Sequence, residues 1–364
     1  FAVGGRPEQR GVVSSCSYAA RQAGVRSALP MAQAIRICPG LIVVSQAHGR
    51  YEEWSRKVMA IVHTLSPLVE QISIDEAFMD ISDLREPPEA IARGLQQRIA
   101  DELGLPCSVG VASNKLVAKI ATEVGKHAAR GPHYPRAITI VPPGQEAVFL
   151  APLPVAMLWG VGPKTEARLA EMGIRTIGDL AAAPEGELIA RFGEHGRDMS
   201  RHARGLDDRP VVTEHEAKSI SQETTFSRDV RDDRILEKTL RDLSAEVGRR
   251  LRKQGLAGST VKLKIRWPDF TTLTRQSTLN AATDQDDEIA TAALALMRKV
   301  RPPGQPVRLI GVGVSKLGAP VRQLSLWDAV EDERSRRLQS AIDLLQEKYG
   351  RNIIQKGKED PHAP

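Results

Sequence analysis

Apolar residues recur at the three- or four-residue spacing of a helix face over residues 51–65, 88–103 and 114–124, with short β-type runs such as 107–111 between them. This alternation predicts an α+β layer over residues 47–151, two helices laid against a sheet of hairpins. Ahead of it, residues 1–46 mix strand-like pieces, 10–13 among them, with a helical stretch over 18–25 that Gly24 ends, and form a small lobe. Residues 127–136, rich in Gly, Pro and basic side chains, read as a surface loop. Short helical patterns punctuated by glycine fill residues 152–213, which hold no strand candidate. Residues 214–218 are polar and read as a linker. Beyond them a helix over 234–253, strands over 260–267 and 271–279, a helix over 288–300 and a strand over 307–314 make a second α+β unit at 219–318. A tail, 319–364, carries one amphipathic helix in which Leu338, Ile342 and Leu345 fall at helical spacing before a stop at Gly350.

One short stretch breaks the strand rhythm. Ile72 and Ile74 take even positions while Ala77, Met79 and Ile81 take odd ones, so the apolar phase slips at Asp75-Glu76. Neighbouring side chains on a regular strand point to opposite faces, and a turn or bulge at the slip is what lets both carboxylates aim at one point. Burying unpaired charge is costly, so adjacent acids in an apolar setting need a cation. With no His or Cys beside them, oxygen-only ligation favours magnesium or manganese over zinc. Taken alone, the pair reads more readily as an acidic hairpin tip in solvent; its neighbours in the sequence decide otherwise.

A chain of 364 residues accommodates about two to four domains with cores of their own. Its 51 Lys and Arg exceed 45 Asp and Glu, and a net charge of +6 suits a polyanionic partner. The excess is local: residues 219–318 hold 18 basic and 12 acidic side chains, a surplus equal to that of the whole chain. Cys16, Cys38 and Cys107 are odd in number and lack metal-ligand spacing, so free thiols in a reducing, cytoplasmic setting are predicted. No run approaches the roughly 18 apolar residues of a membrane span, and the start at Phe1 has no signal-peptide form, so no membrane partner is expected.

Ser73-Ile74-Asp75-Glu76-Ala77-Phe78 stands between Ser17-Tyr18-Ala19-Ala20-Arg21 and Ser108-Val109-Gly110-Val111-Ala112-Ser113-Asn114-Lys115. In order and spacing these motifs resemble the Y-family translesion DNA polymerases, on the side of the bacterial DNA polymerase IV branch, from Phe1 to about Lys316. The resemblance implies a right-hand polymerase: small fingers at 1–46, a ferredoxin-like palm at 47–151, an all-α thumb at 152–213 and an α+β little finger at 219–318. It also implies low-fidelity, template-directed DNA synthesis by two-metal phosphoryl transfer, with primer–template DNA, deoxynucleoside triphosphates and two magnesium ions. Asp75 and Glu76 would be the metal carboxylates, with Glu76 nearer the primer terminus and helping to receive the proton of its 3′-hydroxyl. Tyr18 and Arg21, one helical turn apart, match the family's triphosphate contacts. Lys126 matches a palm lysine that touches the phosphates, although the family usually has Lys-Pro where this chain has Lys126-His127. In the family a first strand carries another metal-binding aspartate and then an aromatic residue that screens out ribonucleotides. The resemblance begins after that segment, so this chain is expected to be a fragment, with the activity expected of the complete protein.

Leu158-Trp159-Gly160-Val161-Gly162-Pro163-Lys164-Thr165 resembles the start of a helix-hairpin-helix, in which glycines let a phosphate approach and the free N–H groups of the next helix donate to it. Gly160, Gly162 and Lys164 are the candidate DNA contacts; the family more often has Pro-Gly-Val-Gly, so Trp159 is a departure, read as a packing residue. Thr176 with Asp179 has the form of a capping box. Lys262, Lys264 and Arg266 alternate with Val261, Leu263, Ile265 and Trp267, which puts the cations on one face of a strand, and the family resemblance makes that face a DNA-backbone contact. Gln323-Leu324-Ser325-Leu326-Trp327 resembles the peptide by which bacterial polymerases dock on the sliding clamp, with Gln323 at the pocket mouth and Leu324, Leu326 and Trp327 as the remaining contacts. A monomer is expected. Two other readings stand beside this one. A nucleotidyl cyclase shares a palm-like carboxylate site but has no use for the hairpin-helix motif, the basic unit or the clamp peptide. A polymerase-shaped accessory protein that binds DNA and clamp without synthesis is the alternative of another class, and intact Asp75 and Glu76 argue against it.

Overall fold

A computed structural model describes residues 1–129, 134–320 and 329–350. The chain divides into two compact units, Phe1–His215 and Glu216–Pro364.

The first unit opens with a three-stranded sheet of β1 (Ala2–Gly4), β2 (Val13–Cys16) and β3 (Val43–Val44), in the order β2-β1-β3. Helices α1 (Tyr18–Gln22) and α2 (Met31–Ile37) close its core on Ala2, Val13, Val25 and Met31. The strand expected at 10–13 begins at Val13, because Arg10 stands in a left-handed conformation, with φ of 57°, that ends the preceding turn.

Then come α3 (His48–His63), the hairpin β4 (Val69–Gln71) and β5 (Ala77–Met79), α4 (Pro88–Leu103), β6 (Val109–Val111), α5 (Lys115–Ala128), β7 (Ile138–Ile140) and α6 (Glu146–Leu150). Among the described residues the strands of this layer form two separate pairs, antiparallel β4–β5 and parallel β6–β7. The hairpin and the α3–α4 pair share one core, built on Ile61, Val62, Val69, Leu95 and Ile99. Strand β6 lies directly on α5: a Cβ at Gly110 would stand 2.0 Å from the Ala118 carbonyl oxygen, so only glycine permits this approach.

Helices α7 (Pro163–Ala170), α8 (Ile177–Ala182), α9 (Glu185–Phe192) and α10 (Glu194–Ala203) follow. Their buried residues Leu169, Ile177, Leu180, Leu188 and Met199 form one continuous core with Leu116, Val117 and Ile120 of α5. The start of α5 is tied to the far end of the segment as well. Asn114 Nδ2 donates to the Gly205 carbonyl (2.8 Å) and the Leu116 N–H donates to Asp207 Oδ2 (3.1 Å).

The second unit is a four-stranded antiparallel sheet of β8 (Ser219–Val230), β9 (Ala257–Arg266), β10 (Thr272–Thr283) and β11 (Val307–Gly318), in the order β10-β9-β11-β8. Helices α11 (Asp233–Lys253) and α12 (Asp286–Val300) cover one face, and Leu236, Leu240, Val247, Ile289 and Ala293 meet Val261, Leu263, Ile265 and Val312 in its core. Strand β8 is not foreseen by the sequence pattern. It is an edge strand whose inward face, at even positions, carries Ile220, Phe226 and Val230 but also Gln222, Thr224 and Arg228, so its alternation is diluted by polar residues. The tail helix is α13 (Ala329–Tyr349), and Gly350 follows it with φ of +93°. Arg252 of α11 grips Asp343 of α13 through Nε–Oδ2 (2.7 Å) and Nη2–Oδ1 (3.1 Å).

Candidate active site

The phase slip at Asp75-Glu76 is a turn. Backbone N–H groups of Ile72 and Ser73 both donate to the Glu76 carbonyl (3.0 and 3.2 Å), closing the hairpin just before β5 begins. Ser73 locks the turn: its hydroxyl donates to Asp75 Oδ1 (2.6 Å) and accepts from the Asp75 N–H (3.2 Å). Taking both acids off the regular strand removes the rule that would send them to opposite faces. They line one cavity of about 260 Å³, together with Lys119, Glu123 and Lys126 of α5. Most of its other walls are apolar, Val58, Ile91, Leu95 and Val109 among them.

Glu76 already holds a cation. Lys119 Nζ lies 2.9 Å from each of its carboxylate oxygens. Lys126 Nζ donates to Glu123 Oε1 (2.8 Å), one turn back on the same helix. Sequence reasoning missed Lys119 and Glu123. Lys115, Lys119, Glu123 and Lys126 repeat at helical spacing on one side of an amphipathic helix, a pattern that an ordinary solvated face also shows.

Tyr18 and Arg21 are not among the residues lining this cavity. They pack on each other at the start of α1, Arg21 Cζ standing 5.4 Å from the Tyr18 ring centroid, while Arg21 Nε donates to the Cys16 carbonyl (3.3 Å). Tyr134 meets the Tyr18 ring edge-on at 5.7 Å.

Asp75 and Glu76 offer hard oxygen donors, and an ammonium standing on both oxygens of Glu76 shows that a cation fits there. Among the described residues no group of three or more His, Cys, Asp and Glu is arranged to hold a metal.

The glycine loop before α7 is exposed at Gly160, Gly162 and Lys164. Gly160 has φ of +102°, a conformation that glycine adopts without strain, and an added Cβ at Gly162 would meet open space. Pro163 opens the helix, and its first intrahelical bond is Glu166 N–H to the Gly162 carbonyl (2.9 Å). Trp159 is half-buried against the core that α5 shares with these helices, as a packing residue should be. The capping box is present: Thr176 Oγ1 accepts from the Asp179 N–H (3.0 Å), and Asp179 Oδ2 accepts from the Thr176 N–H (2.8 Å). These backbone N–H bonds hold the Asp179 carboxyl below its ordinary pKa.

In the second unit Val261, Leu263 and Ile265 are buried, and Lys262, Lys264 and Arg266 occupy the opposite face of β9. Lys264 Nζ pairs with Glu223 of β8 (2.7 Å) and Arg266 Nε donates to Thr272 Oγ1 (2.8 Å). Gln323, Leu324, Leu326 and Trp327 lie outside the described residues.

Residues 1–123 match the model of the impB/mucB/samB family, and residues 217–326 match the C-terminal domain of that family. Residues 156–207 match a DNA polymerase-iota thumb domain. The DNA polymerase IV of Dehalococcoides mccartyi strain CBDB1 is 41% identical over 360 residues, covering 98% of this chain and 90% of the relative. The chain belongs to the Y-family of DNA polymerases. A second Y-family relative, the DNA polymerase IV of Desulfatibacillum aliphaticivorans, is 41% identical over 357 residues, covering 96% of this chain and 88% of its own. Among solved Y-family structures, an insertion ternary complex of Dbh DNA polymerase is similar with a TM-score of 0.59 and 25% identity, over 87% of this chain and 92% of that one. A Dbh–Dpo4 chimera shares the fold with a TM-score of 0.76 at 23% identity, over 88% and 92% of the two chains.

Proposed function

We propose that the complete protein to which this chain belongs carries out template-directed translesion DNA synthesis, extending a primer 3′-hydroxyl with deoxynucleotides. The observation that carries the reading is the turn that delivers Asp75 and Glu76 to the mouth of one cavity, beside Lys126, in a chain of a polymerase family. Two magnesium ions, when bound, supply Lewis-acid activation of the primer hydroxyl and neutralise charge on the leaving pyrophosphate. Asp75 and Glu76 would hold these ions through their carboxylate oxygens, and Glu76 would help to receive the hydroxyl proton. Lys126 meets the triphosphate, as do Tyr18 and Arg21, whose hydroxyl and guanidinium stand one helical turn apart.

Gly160 and Gly162 let the DNA backbone approach the start of α7, where Lys164 adds a cation. Lys262, Lys264 and Arg266 give the second unit a phosphate-facing sheet that positions DNA without reading its sequence, as copying arbitrary templates requires. Gln323, Leu324, Leu326 and Trp327 dock the protein, acting as a monomer, on the sliding clamp. Among the described residues no helix is long and apolar enough to cross a membrane. A cytoplasmic protein working at the nucleoid accords with the three free cysteines.

Primer extension with magnesium and four deoxynucleotides, in the protein expressed from its whole gene, tests the catalytic assignment. Wild type extends and Asp75→Ala does not; equal extension by both removes the assignment. For the clamp peptide, deletion of residues 323–327 should abolish capture by immobilised clamp, and unchanged capture removes that partner.

A further inference from the structure

Behind the carboxylate turn, three cations meet two aromatic rings. The rings of Trp159 and Phe78 lie 6.0 Å apart, tilted by 48°. Lys115 Nζ stands 5.6 Å from the Phe78 ring, while Arg209 Cζ and Lys119 Nζ stand 4.8 and 5.6 Å from the Trp159 ring. Each cation also has its own acid: Lys115 has Glu70, Arg209 has Asp207 and Lys119 has Glu76.

The three pairs differ in where the acid stands. The side chains of Glu70 and Asp207 are 11% and 1% exposed, whereas that of Glu76 is 40% exposed and lines the cavity. The buried carboxylates of Glu70 and Asp207 pair with the cations that stand against the rings. Lys119 is the cation whose acid opens on the cavity. For Glu76 to serve a divalent cation, Lys119 must give up at least one carboxylate oxygen, and repulsion between the two cations favours its moving aside. The indole face of Trp159 is the electron-rich surface already beside it.

We propose that Trp159 is a positioning residue for Glu76: its indole face keeps a second seat for the Lys119 ammonium, so that Lys119 yields Glu76 to a divalent cation and stays in the site. The proposal rests on the reading of Asp75 and Glu76 as metal carboxylates. It gives Trp159 a role beyond packing, and it joins the glycine loop to the carboxylates, since Trp159 immediately precedes Gly160.

The test is direct binding of Mn2+ alone to the full chain, followed by electron paramagnetic resonance, in wild type, Glu76→Gln, Trp159→Leu, Lys119→Gln and the Trp159→Leu/Lys119→Gln double variant. Trp159→Leu should weaken Mn2+ binding about fivefold, the size of a partly desolvated cation–π contact. Lys119→Gln should tighten it, and the double variant should bind as Lys119→Gln does, because the competitor is gone. A Trp159→Leu that binds like wild type overturns the proposal, and so does a double variant that keeps the fivefold deficit, which would mean packing alone. Tryptophan emission during a Mg2+ titration provides a second measurement that needs no Trp159 variant to fold. Emission should change in wild type and stay flat in Lys119→Gln; the same change in both overturns the proposal. Mn2+ binding that Glu76→Gln leaves untouched sinks the metal reading itself and the proposal with it.

Discussion

Glu70–Lys115 and Glu76–Lys119 join the same hairpin to the same helix one turn apart, with the same two residue types, and do different work. Lys115 Nζ meets Glu70 Oε2 at 2.6 Å with side chains about one-tenth exposed, 10% and 11%. The Glu70 carboxylate also accepts the Val212 N–H (2.9 Å) and stands 3.5 Å from His215 Nε2, so it anchors the end of the first unit. Lys119 and Glu76 are 23% and 40% exposed and open on the cavity. Burial makes the difference: a pair closed off from water is a fixture, because removing either partner strands a charge, whereas a pair at a cavity mouth can exchange its partner for solvent or an ion.

Four measurements break or sharpen this contrast. Glu76→Gln should lower primer extension about a thousandfold, the scale of losing a group that supports metal-assisted phosphoryl transfer; a loss under tenfold would make the exposed pair structural, like its neighbour. Lys115→Met should cost about 3 kcal/mol of stability in chemical unfolding, since it leaves Glu70 buried and unpaired, and Lys119→Met no more than about 1 kcal/mol. Equal costs would erase the distinction.

Acid should act through the buried carboxylates Glu70 and Asp207. Burial pushes the Glu70 and Asp207 carboxyls up, but hydrogen bonds from Lys115 and Val212 to the first, and from Arg209 to the second, outweigh it and hold both below their ordinary values of 4.5 and 3.8. Groups lowered on folding contribute stability that is fully present above those ordinary values and is lost as pH falls through the lower folded ones. Unfolding followed from pH 6 to about pH 3 should therefore show a stability loss that is shallower in Glu70→Gln; identical profiles would contradict the anchoring role. The smallest effect is a control away from both pairs. Thr176→Ala removes the capping box and should cost about 1 kcal/mol with no change in the pH profile that Glu70 sets.

The hairpin was legible because a change of apolar phase is a local signal, and the turn at Ser73–Glu76 is where it placed the break. The capping box and the alternation on β9 were legible for the same reason. Strand β8 was not, because Gln222, Thr224 and Arg228 interrupt Ile220, Phe226 and Val230 on its inward face and dilute the period. Lys119 was not, because a lysine on an amphipathic helix looks like any solvated residue until its partner is known. The pattern also put Lys115 simply at a helix start, where the structure buries it against Glu70.

Local order determined most of the succession of helices and strands, strand β8 excepted, together with the turn that frees Asp75 and Glu76 from opposite faces and the basic surplus of the second unit. Tertiary structure alone decided which cation each acid meets, since Lys115 reaches back 45 residues to Glu70 and Lys119 reaches back 43 to Glu76. The reason is physical. Periodicity is fixed by backbone geometry within a few residues, while burial and charge pairing depend on how α5 seats on the hairpin, and the shared core with the later helices sets that seat.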